Sequence, residues 1–487
     1  MKNNAQAIGH WIDNAEIASA KGFWFEKKDP ATGKILYKVS EGSDYEVRLA
    51  IKSALDSYKK WAETNVVKRS EIIREAVLLI RARKKELAEI VAKEAGKPLR
   101  DASGEVDAAV ECGFFFAGEG RRYFGSVLQS ASLNRRVQMR RYPIGVGALI
   151  IPFNNPAANV AWKLFPAILC GNAVVMKAHE YIPSVPVWFA KVLKEAGLPP
   201  GVFSVLQGLG NVGASLVADP RVSFVSFTGG VNTGRAIKRA TAERFAKTQI
   251  ESGGKNALVI CDDADLERAV NVSVQSATVD AGQRCVGCSR IIIFENVYDK
   301  CKAMLLEKLS NLKVGVGEND AYGAIISEDR MNAILEAIKS AVSRGATLLL
   351  GGERLTDREH KNGYFIKPTV LENVDPNDPL SQEELFGPVV ALYRAKHFEE
   401  AISLTNNSKF GLSAAIHTNN IHRAEIFMDG AETGVVRVNG PTFGSEPHMP
   451  FGGVKLSGDG WREPGEKALD FYSNWKQISI DFSPESA

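Results

Sequence analysis

The chain has 487 residues, 45% of them hydrophobic and 24% charged, an ordinary globular composition with material for about three domains. Its 60 basic and 57 acidic residues leave a net charge of +3, too even a balance to mark a nucleic-acid surface, and runs such as Arg81–Lys85 read as solvated helix faces. No basic leader followed by an apolar run opens the sequence, and no stretch of about 18 apolar residues follows, so neither a secretion signal nor a membrane span is expected. The six cysteines (112, 170, 261, 285, 288 and 301) are scattered, which fits a reducing cytoplasm better than a disulfide framework.

From about residue 43 to 117 apolar residues recur at three-and-four spacing and predict helices, one ending at Gly96. Residues 126–142 alternate instead, largely polar on both faces, and predict a projecting β-hairpin. From 144 the rhythm becomes strand, helix, strand. VGALII (146–151), NAVVMKA (172–178), VFSVLQG and VSFVSFTG (222–229) are strands with helices between them. A second set runs from about 256 to 440 through NALVICDDAD, SRIIIF, ATLLLGG, YFIKPTVLENV, PVVALYRA and GVVRVNG. Such alternation implies parallel sheets covered by helices on both faces. NWKQISIDF (474–482) is a terminal strand with no obvious local partner.

Four places carry chemistry. Gly229-Gly230-Val231-Asn232-Thr233-Gly234 ends a strand and opens a helix, where backbone N–H groups can approach a pyrophosphate. It lacks the usual GxGxxG spacing, and a plain turn before a helix looks the same. Lys177 and Glu180 lie just past a strand end, where parallel sheets place ligands and a carboxylate can hold ribose hydroxyls. Cys285, in DAGQRCVGCSR, sits among glycines beside a cation that favours thiolate. Its CxxC relation to Cys288 also fits a redox pair, and without a second CxxC or nearby CxxH no metal site is expected. Glu251, in TQIESGGK, is a carboxylate on a glycine-rich turn, able to reach an intermediate as a general base must. Taken singly, each position is equally well read as structural.

In order and spacing they resemble the aldehyde dehydrogenase superfamily over nearly the whole chain. Pro152-Phe153-Asn154-Asn155-Pro156 is similar to the family's PWNxP, with Phe153 for the usual tryptophan. VVMKAHE carries Lys177 and Glu180, and FTGGVNTG resembles FTGSxxxG with Gly230 for the common serine. ESGGKN resembles ELGGK, GQRCVG resembles GQxC, ELFGPVV resembles EIFGPV, and MPFGGVKLSG (449–458) resembles PFGGxKxSG.

The resemblance implies two parallel-sheet α/β domains, a Rossmann-like cofactor domain (1–125 and 143–253) and a catalytic domain (254–466). A β-hairpin and C-terminal strand (126–142 and 467–487) would form an oligomerisation arm, giving a homodimer or homotetramer. It implies Cys285 as nucleophile, Asn154 as oxyanion donor with the Cys285 N–H, and Glu251 as the base that activates water. CoA-acylating relatives generally lack that base, so water is the expected acceptor. NAD would lie against Ile151, Pro152, Phe153, Lys177, Glu180, Gly210, Gly229, Gly230, Thr233, Glu384 and Phe386. Glu180 should repel a 2′-phosphate, while Lys177 and His179 leave NADP use open. Asn155, Trp162, Arg284, Val286 and Phe451 would line the substrate pocket. Arg284 suits a small semialdehyde with a distal anionic group, unless it only supports its loop. A dehydrogenase of neutral aliphatic or aromatic aldehydes, and a non-catalytic protein of the same fold, are the alternatives.

Overall fold

The computed structural model describes residues 6–123 and 125–482. The ends of the expected first segment (1–5) and terminal arm (483–487) lie outside the described residues. Two seven-stranded sheets dominate. In the first, Lys247–Glu251, Phe224–Thr228, Val146–Ile150, Ala173–Lys177 and Phe203–Leu206 lie side by side and parallel, and the antiparallel strands His10–Ile12 and Ala15–Ile17 complete one edge. Strand 146–150 is the earliest of the parallel set. The chain adds strands 173–177 and 203–206 on one side of it, then 224–228 and 247–251 on the other. Strand order therefore reverses beside Ile150, the position outside whose carboxyl ends open α/β sheets bind ligands.

The second sheet runs Thr347–Leu350, Thr369–Glu372, Val389–Ala395, Cys288–Phe294, Asn256–Ile260, Ser413–His417 and Val435–Val438, parallel except at its first pair. Strand 369–372 starts only after Pro368, which has no N–H for a ladder. Both sheets are covered on both faces. Leu149, Val174, Met176 and Val205 pack into one core with the helices Val66–Ala82, Leu99–Glu119 and Pro156–Leu169, while Val146, Ala148, Val175 and Val225 face another. Leu258, Ile291 and Leu392 point opposite to Ala257, Ile292 and Tyr393 in the same alternating way.

Two arrangements go beyond what the sequence shows. Residues 6–40 contribute strands, including a small sheet of Gln6–Ile8, Ile35–Ser40 and Trp24–Lys28; their short, mixed-polarity runs give little alternation to read. The terminal strand Ser473–Asp481 does have a partner, since it pairs antiparallel along its whole length with Arg135–Pro143 of the hairpin. Strand Ser126–Leu128 completes that three-stranded sheet. The pairing partner lies far away in sequence, beyond the reach of local pattern.

The sheets meet end to edge. Strand 247–251 leaves the first sheet at its carboxyl end, and after Ser252–Lys255 the chain enters the second sheet at Asn256, its amino end. The carboxyl edge of one sheet thus adjoins the amino edge of the other.

Candidate active site

On the first sheet's side, Lys177 ends its strand and its ammonium reaches Glu180 Oε2 at 3.1 Å. Burial pushes the Glu180 carboxyl up, but His179 and Lys177 outweigh it and hold the group below the ordinary carboxylate value, so it is charged at neutral pH. Thr228 closes its strand, and helix Val231–Ala242 opens behind Gly230 with no side chain capping its free N–H groups. A Cβ on Gly230 would meet nothing within 4 Å. Thr233 is exposed in the same first turn, and Gly210 opens the helix Gly210–Ala218, also without a side-chain cap. Uncapped helix N-termini beside open space, at a reversal of strand order, fit a dinucleotide pyrophosphate.

The turn after strand 146–150 carries buried Ile151, then Pro152, Phe153, Asn154 and Asn155. Phe153 packs edge-on against His179 (5.3 Å), Tyr181 (5.9 Å) and Phe386 (5.7 Å), linking the Lys177–Glu180 pair to the Glu384 loop. Asn155 occupies the N-cap of helix 156–169, yet its side chain makes no capping bond. No hydrogen bond from the Asn154 side-chain amide is found among the described residues, whereas its carbonyl accepts from Lys97 Nζ at 2.7 Å.

Cys285 follows three consecutive residues of positive φ, Asp280, Ala281 and Gly282. Its carbonyl accepts from Asn256 Nδ2 (2.7 Å), which also holds Gly287 O (2.9 Å), so the loop is pinned to the start of the second sheet. The turn after Glu251 passes so near that Cβ atoms would collide, at Gly253 with the Glu384 carboxylate and at Gly254 with the Cys285 carbonyl and Asn256 amide. Gly254 of ESGGK is thus required by space, while at Gly253 the obstacle is the movable end of the Glu384 side chain. Glu384 Oε1 accepts from Gly254 N at 3.1 Å. Burial, with the charges of Glu384 and Glu251, pushes the Cys285 thiol up to about 12. Cys288 turns away, its Sγ on Arg290 O at 3.5 Å, and both cysteines are free thiols.

Glu251 is 2% exposed, and neither carboxyl oxygen has a hydrogen-bond partner among the described residues. Burial and the charge of Glu463 raise its pKa well above the ordinary value, against Lys163 and Arg462. The wholly buried Lys163 donates to Glu463 Oε1 (2.8 Å), Glu463 Oε2 (3.1 Å) and Ser226 Oγ (3.0 Å). Sequence reading missed this pair. Its signal was a lysine inside the apolar run VAWKLFPAIL, where a charge needs a partner.

Trp162 and Phe451 meet at 5.5 Å and, with Val286, Leu412, Val435 and Phe443, pack around Cys285. Phe443, also missed, lies under the Arg284 guanidinium at 5.4 Å. Arg284 Nε donates to Asp280 Oδ2 at 2.5 Å. The arginine therefore supports its own loop through one nitrogen, and no intrachain bond from its two terminal nitrogens is found among the described residues.

Uncapped helix N-termini suited to a dinucleotide, a cysteine packed against aromatic side chains and a buried carboxyl together fit a cofactor-dependent oxidoreductase. The aldehyde dehydrogenase family matches residues 17–478. The alpha-ketoglutarate semialdehyde dehydrogenase of Haloferax volcanii is 36% identical over 472 residues, spanning 96% of this chain and 98% of that protein. The alpha-ketoglutaric semialdehyde dehydrogenase of Bacillus subtilis is 34% identical over 478 residues, 97% of each. Betaine aldehyde dehydrogenase from Staphylococcus aureus, solved in complex with NAD+, matches with TM-score 0.95 and 30% identity over 98% of this chain and 95% of that one. An NADP-dependent enzyme of E. coli matches with TM-score 0.94 and 31% identity over 99% of each. The chain belongs to the aldehyde dehydrogenase family, and it is an NAD(P)-dependent oxidoreductase of aldehydes. Among the described residues no helix is long and apolar enough to cross a membrane.

Proposed function

We propose that the chain oxidises a small semialdehyde with a distal anionic group to the carboxylic acid, with Cys285 as nucleophile and Glu251 as the base for water. Burial disfavours the Cys285 thiolate and the Glu251 carboxylate alike and raises the pKa of each. Lys177, Glu180, Gly210, Gly229, Gly230 and Thr233 would hold the adenosine and phosphate end of NAD, and Glu384 with Phe386, Phe153, Pro152 and Ile151 the nicotinamide end. NAD, when bound, would supply the hydride acceptor. After the Cys285 thiol gives its proton to water, Sγ adds to the carbonyl carbon, and the oxygen becomes an alkoxide facing the Asn154 amide and the Cys285 N–H. Loss of hydride from that carbon leaves a thioester on Sγ. Glu251 then takes a proton from water, the hydroxide oxygen adds to the thioester, and collapse expels the thiolate with release of acid. A carboxylate whose pKa lies above the ordinary range is the stronger base for that step.

The observation that carries the substrate class is Arg284. Its Nε is tied to Asp280 while the rest of the guanidinium, stacked on Phe443, is left to a ligand beside Cys285. A planar fork with free donors suits a carboxylate, and two relatives are named for alpha-ketoglutaric semialdehyde. Asn155, whose side chain caps nothing, adds a polar group to the pocket of Trp162, Val286 and Phe451. Those apolar walls favour the second reading, neutral or aromatic aldehydes. Comparing kcat/KM for alpha-ketoglutaric semialdehyde, benzaldehyde and hexanal separates the two, and a preference for hexanal overturns the first. Arg284→Met removes the Asp280 bond for every substrate, so its effect is read as a difference: KM for the anionic aldehyde should rise about 10–100-fold more than KM for hexanal, the worth of a charge-assisted pair.

The charged Glu180 favours NAD over NADP. The sheets support a division into 1–125 with 143–253, 254–466, and an arm of 126–142 with 467–487. The arm exposes Val127, Leu133 and Trp475, and an unpartnered apolar strand edge is a liability in a monomer. A dimer or tetramer covers it.

A further inference from the structure

Lys97 lies outside every motif above, in the sequence Gly96-Lys97-Pro98 that precedes helix 99–119. Its side chain is 5% exposed. The ammonium donates to Asn154 O (2.7 Å) and Glu105 Oε2 (2.9 Å), and pairs with Asp280 Oδ1 at 3.2 Å. An ammonium has three N–H donors, and all three are spoken for.

Each partner belongs to a different part of the site. Asn154 is on the turn after the first sheet. Asp280 begins the left-handed run that presents Cys285, and it also receives Arg284 Nε. Glu105 passes its other oxygen to Ala157 N at 2.6 Å, satisfying an orphan N–H in the first turn of helix 156–169. Asparagine is among the best N-cap residues, so Asn155 would ordinarily do this work. Glu105 does it from a neighbouring helix, which leaves the Asn155 side chain free.

The nucleophile loop is gripped from the same direction a second time. Gln283 Nε2 donates to Ala324 O (3.1 Å), its Oε1 accepts from Ile326 N (2.9 Å), and Ala324 N donates to Gly96 O (2.8 Å). Asp280 and Ala281 hold φ of 50° and 58° without being glycines, a conformation that persists only where surrounding contacts fix it. Burial alone would raise the Asp280 carboxyl, but Lys97 and Arg284 hold it down to about 2, so the grip is ionic at any working pH. A cavity of about 10 Å³, room for about one water, lies at this junction between Lys97, Phe153, Asn154, Asp280 and Gln283.

We infer that Lys97 is a positioning residue for the oxidation: its ammonium locks the Asn154 turn to the Cys285 loop, so that oxyanion donor and nucleophile keep one fixed separation. This rests on the roles proposed above for Asn154 and Cys285. The two loops come from different sheets, and Lys97 bonds to both. Misplacement of reacting groups by about 1 Å can cost about 100-fold in rate.

The test is a double-mutant cycle on the rate of the first-turnover NADH burst, with saturating NAD and one good aldehyde. Asn154→Ala should slow the burst about 100-fold, as loss of an oxyanion donor does. Lys97→Met should slow it about 10–100-fold, with NAD affinity by fluorescence quenching unchanged within about twofold. In the Asn154→Ala background, Lys97→Met should then cost less than about threefold, because the group it positions is gone. Full multiplication of the two effects overturns the inference, as does a weaker NAD affinity with an unchanged burst. An unaffected burst in Asn154→Ala overturns the underlying roles instead. Should Lys97→Met not fold, Lys97→Met/Asp280→Asn removes the charge imbalance and enters the same cycle, where multiplication again overturns the inference.

Discussion

Glu251 has no hydrogen-bond partner among the described residues, and the charged groups around it act on it through space. Glu463 makes its ionisation harder, and Lys163 and Arg462 make it easier. The base becomes competent only as pH rises through a pKa lying above the ordinary carboxylate range, so the hydrolysis-limited rate should climb with pH there. Glu463→Gln removes the opposing charge and leaves Lys163 unpaired, and both changes ease ionisation. The ascending limb should move to lower pH in a steady-state profile, whereas Lys163→Met should move it higher; the reverse order contradicts this electrostatic picture. Each variant breaks a buried pair and should also lower unfolding stability by about 3–5 kcal/mol. Cys285, Glu251 and Asn154 were legible in the sequence because their motifs are short and contiguous. Lys163 and Glu463 are 300 residues apart, and Lys97 meets Asp280 only in space. A single sequence gives no such pairing, so the residues around the candidate site were invisible while those proposed to form it were not.

At the scale of elements, the parallel strands were readable from their buried runs, and the reversal of strand order beside Ile150 was not, since order within a sheet is a tertiary fact. That reversal places Asn154, Lys177, Gly229 and Glu251 on one edge. The ESGGK turn shows how close the second sheet comes. A methyl on Gly254 would enter the Cys285 carbonyl and the Asn256 amide that anchors it. Gly254→Ala should therefore displace the nucleophile loop and reduce the NADH burst rate at least about 10-fold, with a fall in Tm. Full activity in that variant would show that the loop relaxes freely. The hairpin was recognised from its alternation, but its union with strand 473–481 required the fold, because the partners are more than 300 residues apart.

For the whole molecule, two buried histidines, His10 and His417, and the half-buried His179 have depressed pKa values. Burial lowers the pKa of His10, His179 and His417 to about 4 each. His10 accepts from Gln207 N through Nδ1, which a protonated ring could not do. A histidine depressed in the folded state takes up its proton more readily when unfolded. Stability is then complete above the unfolded value of about 6.5 and declines as pH falls from there toward 4. Denaturant midpoints should drop across that interval, and His10→Gln should flatten the decline; a midpoint unchanged between pH 7 and 5 contradicts it. The arm makes its own prediction at this scale. Light scattering should give twice or four times the 53.0 kDa chain mass, and a 53.0 kDa species at micromolar concentration would leave its apolar edge unexplained.

The division of labour between Cys285 and Glu251 is tested most directly by rapid mixing of Glu251→Gln with NAD and an aldehyde. One NADH per site should form quickly and turnover should then stall, with the acyl group recovered by mass spectrometry on Cys285. Sustained turnover without Glu251, or an adduct on any other residue, would contradict the mechanism.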